Sequence, residues 1–210
     1  KTDKDKDESL ILGGDAPYYK EIYYNDQKAE LKDEDYYRHI VDENKMELQT
    51  WSEDTSISVC IIAKNEEKHI ENLLKSVTLI ADEIIVTLDS TSTDKTEDIC
   101  RKYTNNIYKY VWNDTGFSGM RNFCMSKARG AWILFLDGDE LIPTGTSKHI
   151  LEAVQRTDVL AYLCSFKNWQ DGDIEGVSKW ELSENFRLFK NIPHLYFNGV
   201  VHEELSESVE

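Results

Sequence analysis

The chain has 210 residues with 24 Lys or Arg against 40 Asp or Glu, a formal charge of −16, and is 40% hydrophobic. That length suits one ordinary globular domain with appendages, and 5 Trp, 11 Tyr and 7 Phe supply apolar surface for a core, which excludes a chain disordered throughout. The acidity excludes a nucleic-acid binder that works by neutralising phosphates, but not a single diphosphate met by a metal ion or a few local bases.

Residues 1–54 stand apart as an acidic arm with 16 acids and 8 bases, a net of −8. Lys1 to Glu8 alternates Lys with acid and reads as disordered. The pairs Tyr18-Tyr19, Tyr23-Tyr24 and Tyr36-Tyr37 carry large apolar bodies with polar tips, so the arm is expected to pack on the domain's own flank, on a protein partner or second copy, or on an acceptor. Asp33 to Met46 has helical spacing. From Ile57 the pattern changes, and residues 55–210 read as one domain. Ile57 to Ile62 is a β-branched apolar run that reads as a strand buried on both faces. A helix follows, with Ile70, Leu73, Leu74 and Val77 at i, i+3, i+4 and i+7. The pattern continues with a strand at Ile84 to Leu88, a short helix through Cys100 whose capping signal is Asp94 with Glu97, a strand at Ile107 to Val111, a helix at Phe117 to Ala128 and a strand at Trp132 to Leu136. Such alternation predicts an α/β fold with a doubly wound, mostly parallel sheet, whose ligands bind beyond the carboxyl ends of the strands.

After Pro143 a helix at about Ser147 to Arg156 leads to a strand at Val159 to Phe166, a hairpin tip at Asp171 to Gly176, and antiparallel strands at Phe186 to Phe189 and Leu195 to Phe197. The last residues offer no closing element, so the domain reads as truncated at its C-terminus. Cys60, Cys100, Cys124 and Cys164 are widely spaced in apolar or helical patterns and are expected as buried thiols, not a zinc site or disulfide framework. No apolar run approaches the ~20 residues needed to cross a bilayer, and no secretory leader is visible, so a cytoplasmic location is expected.

The chemistry-bearing residues stand at the predicted strand ends. Asp137-Gly138-Asp139-Glu140 follows the strand Trp132 to Leu136. Carboxylates at i and i+2 point the same way, so Asp137 and Asp139 can converge on Mg²⁺ or Mn²⁺, with Gly138 leaving room for a ligand. The alternative is an Asp-rich turn that merely closes the strand. Asp89 ends an earlier strand, where it can accept hydrogen bonds from a base or ribose, or else belong to a cluster capping the next helix. Arg121 can carry charge to a diphosphate, or be an exposed helical Arg without a role.

Four segments in order, Ile61 to Glu67, Val86 to Asp94, Phe117 to Asn122 and Leu134 to Glu140, resemble the family 2 glycosyltransferases, with the D-x-D at Asp137 to Asp139 the most telling part. The later Phe186 to Lys190 and Gly199 to Glu204 resemble the branch that includes lipopolysaccharide-core and bacteriocin (sublancin-type) glycosyltransferases. The resemblance implies the GT-A fold, a nucleotide-sugar donor, usually UDP-linked, and an inverting transfer. It implies that Asp137 and Asp139 hold the metal and diphosphate, that Asp89 meets the uracil or ribose, that Ala63 and Glu66 line the base and ribose pocket, and that Arg121 lies near the donor. Ser90 follows Asp89 where many members have a second Asp, and the Q-x-x-R-W motif of processive synthases is absent.

Inversion needs one in-line displacement in which a base takes the acceptor proton while a metal steadies the departing diphosphate. The family's base is an acid on the acceptor side, and Glu203 is the first candidate, with Glu204 or Glu181 in reserve. His202 either completes the metal sphere, contacts the leaving phosphate, or is a surface His in an acidic loop. The acceptor is expected to be a peptide Ser or Cys or a glycan. Trp169 and Trp180 are either core residues or a stacking face for a sugar. Two rivals share the fold: a nucleotidyltransferase making a sugar nucleotide, which would carry a Gly-rich basic loop where this chain has Ala63 to Glu67, and a non-catalytic interaction module.

Overall fold

The computed structural model describes residues 19–23, 54–169, 180–193, 195–199 and 204–207. Its centre is a run of parallel strands formed by the apolar segments expected to be buried: β2 (Ile57–Ala63), β3 (Glu83–Asp89), β4 (Ile107–Tyr110) and β5 (Trp132–Asp137). β2 lies between β3 and β5, and β4 adds to the far side of β3. The side chains of β2 alternate between two cores. Ile57, Val59 and Ile61 join one with Leu73, Leu74 and Val77 of α1 (Ile70–Val77), Cys100 of α2 (Thr96–Cys100) and Ile150 of α4 (Thr146–Ala153). Cys60 and Ile62 join the other with Met120 and Cys124 of α3 (Gly116–Met125). Apolar layers on both faces explain why β2 reads as a continuous apolar run.

The sheet has seven strands in the order β1-β6-β7-β5-β2-β3-β4. β7 (Trp180–Lys190) runs antiparallel to β5 and to β6 (Val159–Trp169), and β1 (Tyr19–Tyr23) pairs antiparallel with β6 at the edge. The antiparallel part thus continues the same sheet. A separate hairpin of β8 (Leu195–Asn198) and β9 (Glu204–Glu207) packs Phe197 and Leu205 into the α3 side, and Asn122 of α3 clamps Phe197, donating to its carbonyl at 2.8 Å and accepting from its N–H at 2.7 Å. Of the remaining expectations, the helix over Asp33 to Met46 and the tip at Asp171 to Gly176 lie outside the described residues.

Helix ends fall short of the apolar periodicity. α3 stops at Met125 where 128 was expected, and α4 at Ala153 where 156 was expected. In both cases the next residues close a tighter i to i−3 turn: Lys127 and Ala128 donate to Cys124 and Met125, and Gln155 and Arg156 to Glu152 and Ala153. All four cysteines are buried free thiols, and burial pushes Cys100 and Cys164 up to about 12. No helix among the described residues is long and apolar enough to cross a membrane.

Candidate functional site

A cavity of ≈ 550 Å³ opens beyond the carboxyl ends of β2, β3 and β5, where a doubly wound sheet places its ligands. It is lined by the apolar side chains of Ile62, Trp112, Phe117 and Met120 and by the polar side chains of Lys64, Glu66, Asp89, Asp137 and Asp139. Trp112 and Phe117 meet edge to face with centroids 4.9 Å apart, and both remain about two-fifths exposed, at 42% and 43%.

The loop after β2 is stitched to the loop after β3. Asn65 adopts φ 56°, a left-handed conformation that Asn tolerates better than most residues. Its side-chain oxygen accepts from Thr93 N–H at 2.9 Å, while Glu66 N–H donates to Thr96 Oγ1 at 2.7 Å and Glu67 N–H to Asp94 Oδ2 at 2.9 Å. Asp94 also accepts from the N–H and hydroxyl of Thr96, so it organises the start of α2 as expected. Glu97, its expected capping partner, instead pairs with Arg101 and Lys109.

These contacts hold Lys64 against Asp89. The Asp89 carboxylate is 3% exposed; Oδ1 accepts from the N–H and hydroxyl of Thr91 at 2.8 and 2.7 Å, and Oδ2 lies 3.0 Å from Lys64 Nζ. Burial alone would raise its pKa, but the Thr91 hydrogen bonds and Lys64 outweigh that and hold it below the usual carboxylate range.

Asp137 occupies a different environment. Arg121 reaches it in a forked pair, Nη1 to Oδ1 at 2.8 Å and Nη2 to Oδ2 at 3.1 Å, and Arg187 Nη2 reaches Oδ2 at 3.1 Å. Arg187 also donates to Glu140 Oε1 at 2.8 Å, and Glu140 Oε2 accepts the Asp137 N–H at 2.8 Å. Burial works to raise Asp137, and the two guanidinium groups overcome it and hold it low. Glu140 is pushed up to about 7, mainly by burial and further by Asp137, against the lowering effect of Arg187. Both guanidinium groups also lie over aromatic rings, Arg121 4.8 Å from the centroid of Phe135 and Arg187 4.7 Å from that of Phe166.

Past Asp137 the strand turns, and Gly138 is pressed against the β2 loop: a Cβ there would meet Ala63 Cβ and Glu66 Cγ, each at 2.8 Å. Asp139 is exposed and, among the described residues, makes no side-chain hydrogen bond or ion pair. Burial raises Glu66, and the negative charge of Asp139 raises it further. Asp137 and Asp139 therefore line one cavity in different states, the first balanced by arginines and the second unpaired. Among the described residues no cluster of three or more His, Cys, Asp or Glu is arranged to hold a metal. Two hard carboxylates with mutual repulsion, Asp139 and Glu66, nevertheless have the donor chemistry for Mg²⁺ or Mn²⁺, which commonly takes one or two protein carboxylates and completes its sphere with phosphates and water.

Ala63, Glu66, Asp89, Asp137, Gly138 and Asp139 are all brought together on the cavity. Arg121 is 5% exposed and stands behind Asp137, not on the cavity wall, so its charge is applied to that carboxylate. Glu203 and His202 lie outside the described residues; Glu204 and Glu181 are described only as backbone in β9 and β7, and Trp169 and Trp180 as a backbone pair in β6 and β7. Arg187, Glu140 and Lys64 had no assigned role in the sequence. A signal for Arg187 existed: a lone cation inside the apolar run Phe186 to Phe189 must find an anion if the strand is buried.

The family model described as glycosyl transferase family 2 matches residues 58–203. Among curated proteins, the chain is 32% identical over 154 residues to the SPbeta prophage-derived glycosyltransferase SunS of Bacillus subtilis, covering 73% of this chain and 35% of that protein. It is 30% identical over 153 residues to a TPR repeat-containing protein of Synechococcus elongatus, with 73% and 36% covered. To the uncharacterized glycosyltransferase RT0209 of Rickettsia typhi it is 38% identical over 156 residues, with 73% and 52% covered. The chain thus spans between about a third and a half of the length of these relatives. Among solved structures, S. aureus TarS 1–349 in complex with UDP-GlcNAc is 34% identical, with a TM-score of 0.38, over 45% of this chain and 29% of that one.

Proposed function

Because the chain belongs to glycosyl transferase family 2, we propose that it carries a metal-dependent, inverting transferase domain. In this reading it moves a sugar from a UDP-sugar to a peptide Ser or Cys or to a glycan. The observation that carries the reading is the cavity at the strand ends, where Asp89 at the end of β3 pairs with Lys64 from the loop after β2, and Glu66 of that same loop stands with Asp139 from the turn after β5. A nucleoside diphosphate has the matching anatomy, with a polar base at one end and two phosphates at the other. Family membership also removes the nucleotidyltransferase rival. The division into an arm over 1–54 and a transferase domain over 55–210 is part of the same proposal, with β1 attaching the arm to the sheet edge.

Asp139 would hold the divalent ion, with Glu66 beside it; the ion's contribution is to neutralise charge on the diphosphate as it leaves. The chain's own residues do the rest. Arg121 and Arg187 fix Asp137 so that the turn through Gly138 presents Asp139 at one position. Ala63 and Gly138 keep the backbone walls close to the donor. Glu203, immediately before β9, is proposed as the base that removes the acceptor proton, with Glu204 and Glu181 as the next candidates and His202 as a further metal or phosphate contact. A thiol acceptor, being more acidic than a hydroxyl, needs less from that base.

Thermal-shift titration with UDP-, GDP- and dTDP-sugars, with and without Mn²⁺, tests the donor site. A UDP-sugar should raise Tm, Mn²⁺ should increase the rise, and Asp139→Ala should abolish the Mn²⁺ increment. No stabilisation by any donor, or an increment untouched by Asp139→Ala, refutes the reading. Turnover onto peptide thiols, hydroxyls or glycans should vanish in Glu203→Gln while donor binding persists; unchanged turnover removes Glu203.

A further inference from the structure

The proposed transfer joins two separate elements. The donor end rests on β5, whose Asp137 is held by Arg121 at 2.8 and 3.1 Å. Glu203, the acid proposed as base, immediately precedes β9, and among the described residues no ladder joins the β8–β9 hairpin to the seven-stranded sheet. A base must come within about 2.6–3.2 Å of the proton it takes, so something has to set the distance from that hairpin to the cavity. Consecutive residues of α3 touch both elements. Arg121 grips Asp137, and its guanidinium lies 5.4 Å from the ring centroid of Phe197 and 4.8 Å from that of Phe135. Asn122 holds the backbone of the same Phe197, donating from Nδ2 to its carbonyl at 2.8 Å and accepting its N–H on Oδ1 at 2.7 Å. Phe197 in turn pairs across the hairpin with Leu205, which follows Glu203 by two positions.

Resting on the donor site and the base proposed above, we infer that Asn122 is a positioning residue for the transfer, its amide fixing the β8–β9 hairpin at one distance from the Asp137 end of the cavity. The amide suits that task because it is a donor and an acceptor in one rigid plane, and both of its bonds fall on a single residue. Apolar packing alone would tolerate a strand that slid along α3. The Asn122 pair does not, since a slip leaves a carbonyl and an N–H without partners. α3 lends Phe117 and Met120 to the cavity lining, and Asn122 lies off it. It therefore acts through the hairpin and not on the donor. Misplacing a reacting group by about 1 Å can cost about a hundredfold in rate, so a clamp remote from the chemistry has leverage over it.

The test follows UDP release by the full chain from UDP-glucose and UDP-GlcNAc with Mn²⁺, onto water and onto 2-mercaptoethanol, beside calorimetric titration with UDP. The variants are Asn122→Leu, which removes both bonds, Asn122→Asp, which keeps only the acceptor for the Phe197 N–H, and Glu83→Gln, a destabilising change at the opposite end of the sheet. Asn122→Leu is expected to lower kcat onto water about tenfold or more, with the donor KM and the UDP affinity held within about twofold. Transfer to the thiol should fall less, since a more acidic acceptor depends less on the base. Asn122→Asp should fall between wild type and Asn122→Leu, and it carries the same comparison if Asn122→Leu does not fold. Glu83→Gln should leave kcat level, which separates positioning from loss of stability. An unchanged kcat in the Asn122 variants overturns the inference, as do equal losses onto water and thiol or an equal loss in Glu83→Gln. UDP binding weakened along with kcat also overturns it, because Asn122 would then be acting on the donor site. A wild type that binds UDP but turns over neither sugar donor overturns the inference and leaves the donor site standing; one that binds no UDP overturns both.

Discussion

Asp137, Glu140, Arg121 and Arg187 form a four-membered cluster with two charges of each sign, and Arg187→Met removes the member that touches both acids. Asp137 would keep Arg121 at 2.8 and 3.1 Å, but Glu140 would lose its 2.8 Å partner, and as long as Glu140 stayed ionised the site would carry a net charge of −1. The side chains of Arg187, Glu140 and Asp137 are 9%, 17% and 27% exposed, so solvent screens the imbalance poorly. Breaking a buried ion pair by deleting one partner costs about 3–5 kcal/mol. The lower end applies here, near 3 kcal/mol, because Glu140 already sits at about 7 and takes up a proton readily once Arg187 is gone. Glu140→Gln removes the stranded charge, so the double variant should be more stable than the two single losses added together, with a coupling of about 1–3 kcal/mol. Urea unfolding of the wild type, both single variants and the double variant measures the cycle. A loss below about 1 kcal/mol for Arg187→Met, or a cycle additive within about 0.5 kcal/mol, would refute the idea that the four charges act as one buried unit.

Two further outcomes follow from contacts at either end of the sheet. Glu83, at the end away from the cavity, is 11% exposed and accepts from Ser58 Oγ at 2.7 Å and from Arg129 Nε and Nη2 at 3.1 and 2.8 Å. Burial opposes its ionisation, but these bonds prevail and depress its pKa. Its stabilisation is therefore present above the ordinary value of 4.5 and is lost as pH falls through the lower folded value. Glu83→Gln should cost about 1–3 kcal/mol at pH 7, with the deficit shrinking as the pH is taken below the ordinary value of 4.5; a deficit that stays the same as the pH falls in denaturation curves contradicts this. Gly138→Ala should cost about 1–3 kcal/mol by overpacking, since the new methyl meets the backbone-anchored Ala63 Cβ at 2.8 Å. An unchanged Tm would show that the turn has room to spare.

The parallel centre of the sheet was legible because its signal is local. Ile57–Ala63 and Trp132–Asp137 are apolar at nearly every position, and helices packed on both faces leave such strands no other place. Asp89, Asp137 and Asp139 were legible for the related reason that a polar residue ending such a strand falls at the sheet edge where ligands bind. Arg187 was legible only as a cation in need of an anion, not in what it would meet. Its partner Asp137 is 50 positions earlier, and the two meet only because β7 inserts antiparallel between β5 and β6, an order no local pattern encodes. Its consequence was missed as well. Equal carboxylates at i and i+2 suggest equal ligands, yet the arginines from α3 and β7 converge on Asp137 alone and leave Asp139 unpaired. The net charge of −16 shows the same limit. It sums the whole chain and says nothing about the ground behind the cavity, where Arg121 and Arg187 offset Asp137 and Glu140. What an incoming diphosphate meets on the cavity includes Asp139, which has no ion-pair partner among the described residues, and Glu66, whose ionisation Asp139 opposes, and that local imbalance, not the global charge, is the physical reason to expect a divalent ion.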